Sequence, residues 1–387
     1  MKPLPRTVWA LGAVSLAMDL SSELVHALLP VYMTAVLGAS MVAVGVVEGI
    51  AEATASTVKL FSGALSDRLG RRKPLVVLGY GLSALSKPLF PLAGSVALVL
   101  GARFIDRVGK GLRGAPRDAL IADVTAPGQR GAAYGLRQAL DTVGAILGPL
   151  AAIALMLALA SDIRAVLWLA VVPAVAAVLV LVWFVTEPPG TGPAPTPLSF
   201  HSIGSLGARY WAIVALGAVF TLARFSEAFL VLRARDLGLA LALVPLALVV
   251  MNLAYTFVAY PAGTAADRGF RRQLLFAGLG VLLVADLVLA ASASLAGFFA
   301  GVVLWGMHMG LTQGLLATLV ADAAPASLRG TAFGVFHLVS GAALLAASVL
   351  AGWLWSAFGA AFTFYAGAAF TTVALLGLLA ATSRRTR

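Results

Sequence analysis

The chain has 387 residues, of which 61% are hydrophobic and 11% are charged, and it contains no cysteine. Soluble domains carry about 25% charged residues, so this composition excludes a soluble enzyme and predicts a polytopic membrane protein. Helices are the expected spanning elements, because long unbroken apolar runs do not fit the alternating pattern of a membrane barrel. The absence of cysteine excludes disulfides, thiolate metal sites and thiol catalysis.

The apolar runs predict an all-α membrane protein with twelve transmembrane helices. The expected spans are 9–35, 41–65, 74–94, 96–122, 132–160, 164–185, 210–232, 241–262, 273–293, 296–321, 330–354 and 359–381. The first run is interpreted as a span and not as a signal peptide, because it is long, contains Asp19 and Glu23, and lacks a small-residue cleavage site. An even number of spans places both termini on the same side.

The net charge of +11 does not indicate a nucleic-acid partner, because the excess of Lys and Arg lies in the predicted loops and tails. Basic loops stay on the cytoplasmic side of a membrane. Only Arg164, Arg233 and Arg235 fall on the opposite side of the predicted topology. The sequence therefore predicts a multi-pass protein of the cytoplasmic (inner) membrane with both termini in the cytoplasm.

Two segments of the chain repeat. GALSDRLGRRKPL begins at Gly63 and GTAADRGFRRQLL begins at Gly263, and IADVTAPGQRGAAYG (Ile121 to Gly135) matches VADAAPASLRGTAFG (Val320 to Gly334) at nearly the same offset. Between them lies a Pro- and Gly-rich break that cannot hold a helix. We expect an N-terminal six-helix bundle (1–186), a cytoplasmic linker (187–209) and a C-terminal six-helix bundle (210–387), related by pseudo-two-fold symmetry.

The fourth span carries a stripe of charged residues. Arg103, Asp106, Lys110, Arg113 and Arg117 follow one another at steps of three and four residues, which places them on one helix face. A charge at the bilayer centre costs about 2.5–3.5 kcal/mol on insertion scales, and charges kept there usually face a water-filled cavity. We therefore expect this face to line the substrate path. Its excess of cations favours a substrate with an anionic group, whereas the acids of the first span would equally suit a cation.

The first span carries Asp19, Glu23 and His26 on one face. Carboxylates and imidazoles in such surroundings can bind and release protons near neutral pH, so these three are the expected proton-coupling residues. The alternative is that the acids only neutralise the cations of the fourth span. In the second span Glu52 and Lys59 are expected to pair with the fourth span or with Lys87. Arg137 and Asp141 in the fifth form an expected i,i+4 pair close to the cavity.

The second half is poorer in charge. Arg224 and Glu227 are expected across the cavity from the fourth span, and His308 and Gln313 are expected in its wall. Met307, His308 and Met309 are adjacent, so on a helix they point in different directions and do not ligate one ion. No metal site and no cofactor are predicted.

The repeated loop resembles the cytoplasmic loop of the major facilitator superfamily. The residues that carry the resemblance are Gly63, Asp67, Arg68, Gly70, Arg71 and Arg72, and in the second copy Gly263, Asp267, Arg268, Arg271 and Arg272. The resemblance implies two rocking six-helix bundles and a gating role for this loop. It also implies that Arg71 pairs with Asp123, and Arg271 with Asp322, to hold the inward face shut. The alternative is that the loop is only a basic anchor.

The fifth span contains Gly135-x8-Gly144-x3-Gly148-Pro149, which resembles a motif of proton-coupled antiporters of the same superfamily. Ala152-Ile153 stands where that motif closes on two glycines. The alternative is that Gly144 and Gly148 simply let two helices approach closely. The chain looks most similar to a bacterial and archaeal subgroup, with relatives among nickel-resistance and drug-efflux carriers.

These features predict a secondary transporter that exports a small amphiphilic or anionic compound in exchange for protons. The expected partners are that small molecule, protons and the lipid bilayer, and the expected state is a monomer. Transport of a metal ion or metal chelate and a transport-dead receptor with the same fold remain alternatives. An enzyme is not expected, because neither H-E-x-x-H nor G-x-S-x-G occurs, and no phosphate-binding loop for a nucleotide is present.

Overall fold

The computed structural model describes residues 3–188, 206–312, 315–324 and 328–383. Its helices are α1 (Arg6–Val31), α2 (Met41–Leu69), α3 (Lys73–Ser86), α4 (Leu89–Leu92), α5 (Val96–Val124), α6 (Arg130–Ala158), α7 (Ile163–Leu169), α8 (Val171–Phe184), α9 (Ala208–Leu222), α10 (Ala228–Asp236), α11 (Leu246–Ala265), α12 (Arg271–Ala291), α13 (Leu295–Thr312), α14 (Leu315–Ala323), α15 (Arg329–Phe358) and α16 (Ala360–Ser383). Short π-helical turns follow α1 and α11, and 3₁₀ turns precede α6 and α11. Most of the predicted linker lies outside the described residues.

The prediction of twelve transmembrane helices is confirmed. In the described ranges nine helical segments are long and apolar enough to cross a membrane. One of them, Leu241–Ala291, has 51 residues and holds two spans, because Gly269 adopts a φ of 96° between α11 and α12. The remaining two spans are α5, in which charged side chains interrupt the apolar sequence, and α9 with α10.

Several spans are broken helices. Pro88 separates α3 from α4, and α7 ends at Leu169 before α8 begins at Val171. In the seventh span residues 223–227 separate α9 from α10. Such interruptions are tolerated at membrane depth only where neighbouring protein or water satisfies the freed backbone groups.

The chain folds as two compact units. Unit 1 contains Met1–Leu37 and Ile50–Leu198, and unit 2 contains Gly38–Gly49 and Ser199–Arg387. Unit 2 takes in the first part of α2 because Gly49 lies against the backbone of α15. A Cβ atom on Gly49 would be 2.9 Å from the Leu345 Cα, so only glycine permits this approach.

The two units share one packing scheme, which extends the sequence repeat into three dimensions. In unit 1, α1 packs against α6 and α8, and α3 packs against α5 and α8; in unit 2, α9 packs against α15 and α16, and α12 against α13 and α16. Single contacts repeat as well. A Cβ on Gly111 would lie 2.6 Å from the Val58 Cβ, and a Cβ on Gly310 would lie 2.8 Å from the Val258 Cβ.

Helix α1 divides its surface between the core and the candidate site. Val8, Leu11 and Met18 are buried in the core of unit 1 together with side chains of α3 and α8. Asp19 and Glu23 lie on a different face and are only half-buried. The helical period therefore brings these acids beside α6, which packs along α1.

Candidate functional site

The charged stripe of α5 is not uniformly open. Arg103, Asp106 and Arg113 are 1%, 2% and 4% exposed, whereas Lys110 is exposed and Arg117 is half-buried. The expectation that all five line an open path is therefore corrected. Three of them are buried, and two of these, Asp106 and Arg113, contact Ser83 of α3, which packs along α5 and covers part of this face.

Asp106 forms a fully buried ion pair with Lys87, the last residue before the break between α3 and α4. Lys87 Nζ lies 3.0 Å from Asp106 Oδ1 and also donates to Ser22 Oγ of α1 at 3.0 Å. Both partners are almost completely buried. Asp106 had no predicted partner. Lys87 is a lysine within the apolar stretch 75–100, and a buried lysine in such a stretch indicates that an acidic side chain lies next to it.

Hydroxyl and aromatic side chains of α3 and α1 surround the arginines of α5. Arg113 donates to Ser83 Oγ, and its guanidinium lies 4.6 Å from the centre of the Tyr80 ring. Arg117 donates to Ser15 Oγ at 2.9 Å and to the Tyr80 hydroxyl at 3.3 Å. These contacts hold the guanidinium groups in fixed positions. Spacing along α5 could not reveal them, because Tyr80 and Ser83 belong to another helix.

The predicted pairing of the second span with the fourth is confirmed. Arg107 Nη2 lies 3.3 Å from Glu52 Oε1, and the Glu52 side chain keeps 34% of its surface exposed. On α1, His26 Nδ1 lies 3.4 Å from Glu23 Oε2, and both side chains are partly exposed. Glu23 of α1 and Glu52 of α2 are thus more accessible than the buried part of the α5 stripe.

Helix α6 meets α1 at the acidic residues. A Cβ on Gly144 would lie 2.9 Å from the Asp19 Cβ, and a Cβ on Gly148 would lie 2.6 Å from the Glu23 Cβ. The glycines therefore let α6 approach the part of α1 that carries both carboxylates. The expected pair within α6 is confirmed, since Arg137 Nη1 lies 2.9 Å from Asp141 Oδ2.

Unit 2 contains a smaller cluster of side chains around His308, which includes Phe220 and Arg224. His308 is completely buried, and its Nδ1 donates to the Gly278 carbonyl of α12 at 2.8 Å. Its ring centre lies 5.3 Å from that of Phe220, and the Arg224 guanidinium lies 6.0 Å from the same Phe220 ring. The expectation that His308 is in the wall of an open cavity is therefore wrong, because α12 and α13 enclose it.

Other residues predicted for unit 2 are located as follows. Glu227 is half-buried at the start of α10, and Gln313 lies outside the described residues. Whether Arg224 and Glu227 face the fourth span stays a prediction. Asp286 had no predicted role, yet it is fully buried in α12, and its carboxyl group lies against Gly367 of α16.

The loop between α2 and α3 uses Arg72 where Arg71 was expected. Arg72 Nε lies 2.6 Å from Asp123 Oδ2, and its Nη1 donates to Ser66 Oγ at 3.0 Å. The turn itself is made by Gly70 with a φ of 60°, whereas Gly63 lies within α2 and packs near Ala115. The side chain of Asp67 lies outside the described part of the structure.

The loop between α11 and α12 of unit 2 also turns at a glycine, but its charged side chains are exposed. Gly269 supplies the positive φ, so Gly263, which lies within α11, is not the turn glycine. Side chains of the remaining basic and acidic residues of this loop are exposed; they are Asp267, Arg268, Arg271 and Arg272. The Arg271–Asp322 pair stays a prediction, because the Asp322 side chain lies outside the described residues. Arg68 is exposed as well.

Glu187 links the end of α8 to the start of α3. Its carboxylate accepts hydrogen bonds from the backbone N–H groups of Arg72 and Lys73, which are among the first N–H groups of α3 and have no partner within the helix. In return, Lys73 Nζ donates to the Val182 carbonyl near the end of α8 at 3.0 Å. The negative Glu187 thus lies at the N-terminal end of α3 and the positive Lys73 near the C-terminal end of α8, and each charge is favoured there by the helix dipole.

Replacing Glu187 by alanine is expected to lower the free energy of unfolding by about 1–2 kcal/mol, because a helix cap and a favourable dipole contact are lost. Glu187→Gln keeps an acceptor and should lose about half as much. Thermal unfolding of the purified protein in detergent measures the difference. Asp267→Ala, at an exposed carboxylate of the corresponding loop, is the control and should unfold like the wild type; equal melting temperatures for all three variants would contradict the cap.

The helices and the enclosed ion pairs define the class of protein: a multi-pass helical membrane protein that keeps ionisable side chains inside its bundles. The family model "Major Facilitator Superfamily" matches residues 11–232 and 213–387. The chain belongs to this family and is a secondary transporter of a small molecule.

Relatives and solved structures agree with this assignment. An uncharacterised MFS-type transporter of Methanocaldococcus jannaschii is 32% identical over 361 residues, which cover 92% of this chain and 89% of the relative. The multidrug resistance protein MdtH of Proteus mirabilis is 33% identical over 114 residues, which cover 30% of this chain and 28% of MdtH. A crystal structure of the peptide transporter POT superposes with a TM-score of 0.81 at 15% identity, covering 98% of this chain and 95% of that one, which is a likeness of fold.

Proposed function

We propose that this transporter exports a small amphiphilic or anionic compound in exchange for protons, by alternating access of its two bundles. The observation that carries the proposal is the contact of α6 with α1. Gly144 and Gly148 belong to the segment that resembles the antiporter motif, and they lie directly against Asp19 and Glu23. The residues of the motif and the expected proton carriers are therefore parts of one helix contact.

The proposed coupling is an exchange of partners for the α1 carboxylates. Asp19 and Glu23 are half-buried, so they can gain or lose a proton through water, and the exposed Lys110 lies in the same unit. A carboxylate that takes up a proton loses its attraction for a nearby cation, and that cation is then available to an anionic substrate. The buried pair of Lys87 and Asp106 keeps its own charges satisfied and supports the site without taking part in the exchange.

The proposed substrate class follows from the charges that remain accessible. On α5 the accessible members of the stripe are Lys110 and, in part, Arg117, and both are cations. This favours a substrate with an anionic group. The direction of transport is supported by the antiporter-like segment and by the partial similarity to the multidrug resistance protein MdtH. A location in the inner membrane, cytoplasmic termini and a monomeric state are part of the same proposal.

A proteoliposome assay with an imposed pH gradient tests this function. The substrate panel contains fluorescent amphiphilic anions, amphiphilic cations and Ni²⁺, so that metal transport is one of its outcomes. We expect gradient-driven movement of an anionic amphiphile by the wild type. Asp19→Asn and Glu23→Gln should lose the gradient-driven part while still exchanging substrate at equal pH, because the neutral amides keep the shape but not the protonation equilibrium.

Asp236→Asn is the matched control, since it removes a carboxylate that is 47% exposed at the end of α10. It should transport like the wild type. Gradient-driven transport by both Asp19→Asn and Glu23→Gln at the wild-type rate would overturn the assignment of the proton carriers. Movement of Ni²⁺ alone would overturn the proposed substrate class but not the coupling.

A further inference from the structure

Unit 2 contains a cavity of about 780 Å³ that is separate from the cluster of side chains around His308. It lies among α9, α12, α14 and α16, at the end of unit 2 where the chain enters α9. The transport proposal gives it no role. Its lining and its rim have different chemistry, and this difference identifies the kind of ligand that fits.

The wall of the cavity is apolar. Leu216 and Val219 of α9, Leu275 of α12, Leu319 of α14 and Leu378 of α16 all line it. Gly377 of α16 also faces the cavity, and a Cβ atom added there would meet nothing within 4 Å. The space beside Gly377 is thus open and suits a hydrocarbon chain.

The rim of the cavity is cationic. Its charged lining residues are Arg209, Arg271 and Arg272, and all three are exposed. They lie in the first turns of α9 and α12, where backbone N–H groups and the helix dipole also favour an anion. Among the lining residues that the structure describes, none is acidic.

The length of the wall matches one leaflet of a bilayer. From Arg209 to Val219 the chain runs ten helical residues, which at 1.5 Å per residue is about 15 Å. The hydrocarbon core of a bilayer is about 30 Å thick, so one leaflet contributes about 15 Å. A molecule with its phosphate at Arg209 would therefore place an acyl chain along α9 as far as Val219.

We propose that this cavity binds an anionic membrane phospholipid. Its phosphate group contacts Arg209, Arg271 and Arg272, and one acyl chain fills the apolar cavity past Gly377. A free phosphate would use only the rim, and a neutral lipid would use only the wall. Because each basic residue near the surface contributes about a factor of five to the binding of an anionic lipid, the loss of all three should weaken binding about 100-fold.

The test uses the full-length purified protein in a neutral detergent. Phosphatidylglycerol, phosphatidylcholine with the same acyl chains, and glycerol 3-phosphate are titrated separately, with thermal unfolding and native mass spectrometry as readouts. We expect phosphatidylglycerol to raise the melting temperature and to remain bound in the mass spectrometer, and the other two to do neither. The variant Arg209→Gln/Arg271→Gln/Arg272→Gln should lose this response.

Two further variants separate the two parts of the site. Gly377→Leu fills the space for the chain and keeps the arginines, so it should also weaken phosphatidylglycerol binding. Arg6→Gln/Arg130→Gln/Arg235→Gln removes three exposed arginines that do not line the cavity, and it should bind like the wild type. Equal responses to both lipids, an equal response to glycerol 3-phosphate, or full binding by Gly377→Leu would each overturn the proposal. None of these readouts involves transport, so the proposed function can fail or hold independently.

Discussion

Lys87→Met is expected to lower the free energy of unfolding by about 3 kcal/mol, the lower end of the range for breaking a buried ion pair, because the buried Asp106 carboxylate keeps only Arg107, whose Nε lies 4.0 Å from Asp106 Oδ2. Asp106→Leu should cost a similar amount for the opposite reason. The pair is suited to this test, since both side chains are almost fully enclosed and their charged atoms are 3.0 Å apart. Thermal unfolding and retention of a monodisperse protein in detergent are the measurements.

The double variant Lys87→Met/Asp106→Leu should recover most of the lost stability. Replacing both members of a buried pair by apolar side chains of similar volume is often neutral or stabilising. Ser22 then loses a hydrogen-bond donor, which should limit the recovery by about 1 kcal/mol. A double variant as unstable as the sum of its parents would contradict the pairing and indicate separate roles.

A control variant and a transport assay complete this set of single and double variants. Asp236→Asn removes the charge from the Arg233–Asp236 contact, in which the acid is 47% exposed, but keeps an acceptor oxygen, and should cost no more than about 1 kcal/mol. Transport by the double variant decides whether the buried pair is only structural. We expect near wild-type transport, since the proposed proton carriers, Asp19 and Glu23, lie on α1 and not in this pair. Restored folding with abolished transport would instead place Lys87 and Asp106 in the coupling pathway.

The spans could be predicted from the sequence because the lipid bilayer permits few backbone conformations, and the repeat because its two copies are similar in sequence. Every backbone group in the hydrocarbon must be bonded internally, so apolar runs of sufficient length become helices. Nothing in hydropathy showed that the first part of α2 belongs to unit 2. That contact depends on Gly49 meeting the backbone of α15, and a glycine in an apolar run has no distinctive signal.

The site could be predicted only in part, because spacing fixes a helix face but not what covers it. The five charges of α5 do share a face, yet Arg103, Asp106 and Arg113 are buried and Lys110 is open. The contacts of Asp106 and Arg113 with Ser83 show that α3 covers part of this face. Spacing also does not decide which of two adjacent residues makes a contact. Arg71 and Arg72 have the same chemistry, and the direction in which α3 starts at Lys73 decides that Arg72 reaches Asp123.

The duplication preserves helix packing but not charge. At an offset of 199 residues, α13 carries Trp305, Met309 and Thr312 where α5 carries Asp106, Lys110 and Arg113. The same offset places Asp286 where unit 1 has Lys87, and Asp286 lies against Gly367 with neither carboxyl oxygen accepting a hydrogen bond from a described residue. In the described residues the buried ionic network on this helix belongs to the first unit, which is the reason for proposing proton coupling there.

Gly148→Ala is expected to disable gradient-driven transport and to lower the free energy of unfolding by about 1–3 kcal/mol. The added Cβ would lie 2.6 Å from the Glu23 Cβ and 3.0 Å from the Leu20 carbonyl oxygen, so α6 must move away from α1, as in other overpacked cores. Gly144→Ala meets the Asp19 Cβ at 2.9 Å and should have a smaller effect of the same kind.

Gly135→Ala on the same helix provides the matched control. A Cβ there meets nothing within 4 Å, and alanine favours a helix over glycine by about 1 kcal/mol, so this variant should be slightly more stable than the wild type. The expected order of stability is Gly135→Ala, Gly144→Ala, Gly148→Ala. The dependence of transport on the pH gradient then separates the two interpretations of the motif. If Gly148→Ala is destabilised but remains fully coupled, the glycines serve only close helix packing; a coupling defect larger than the loss of folded protein means that they hold Glu23 where it exchanges its proton.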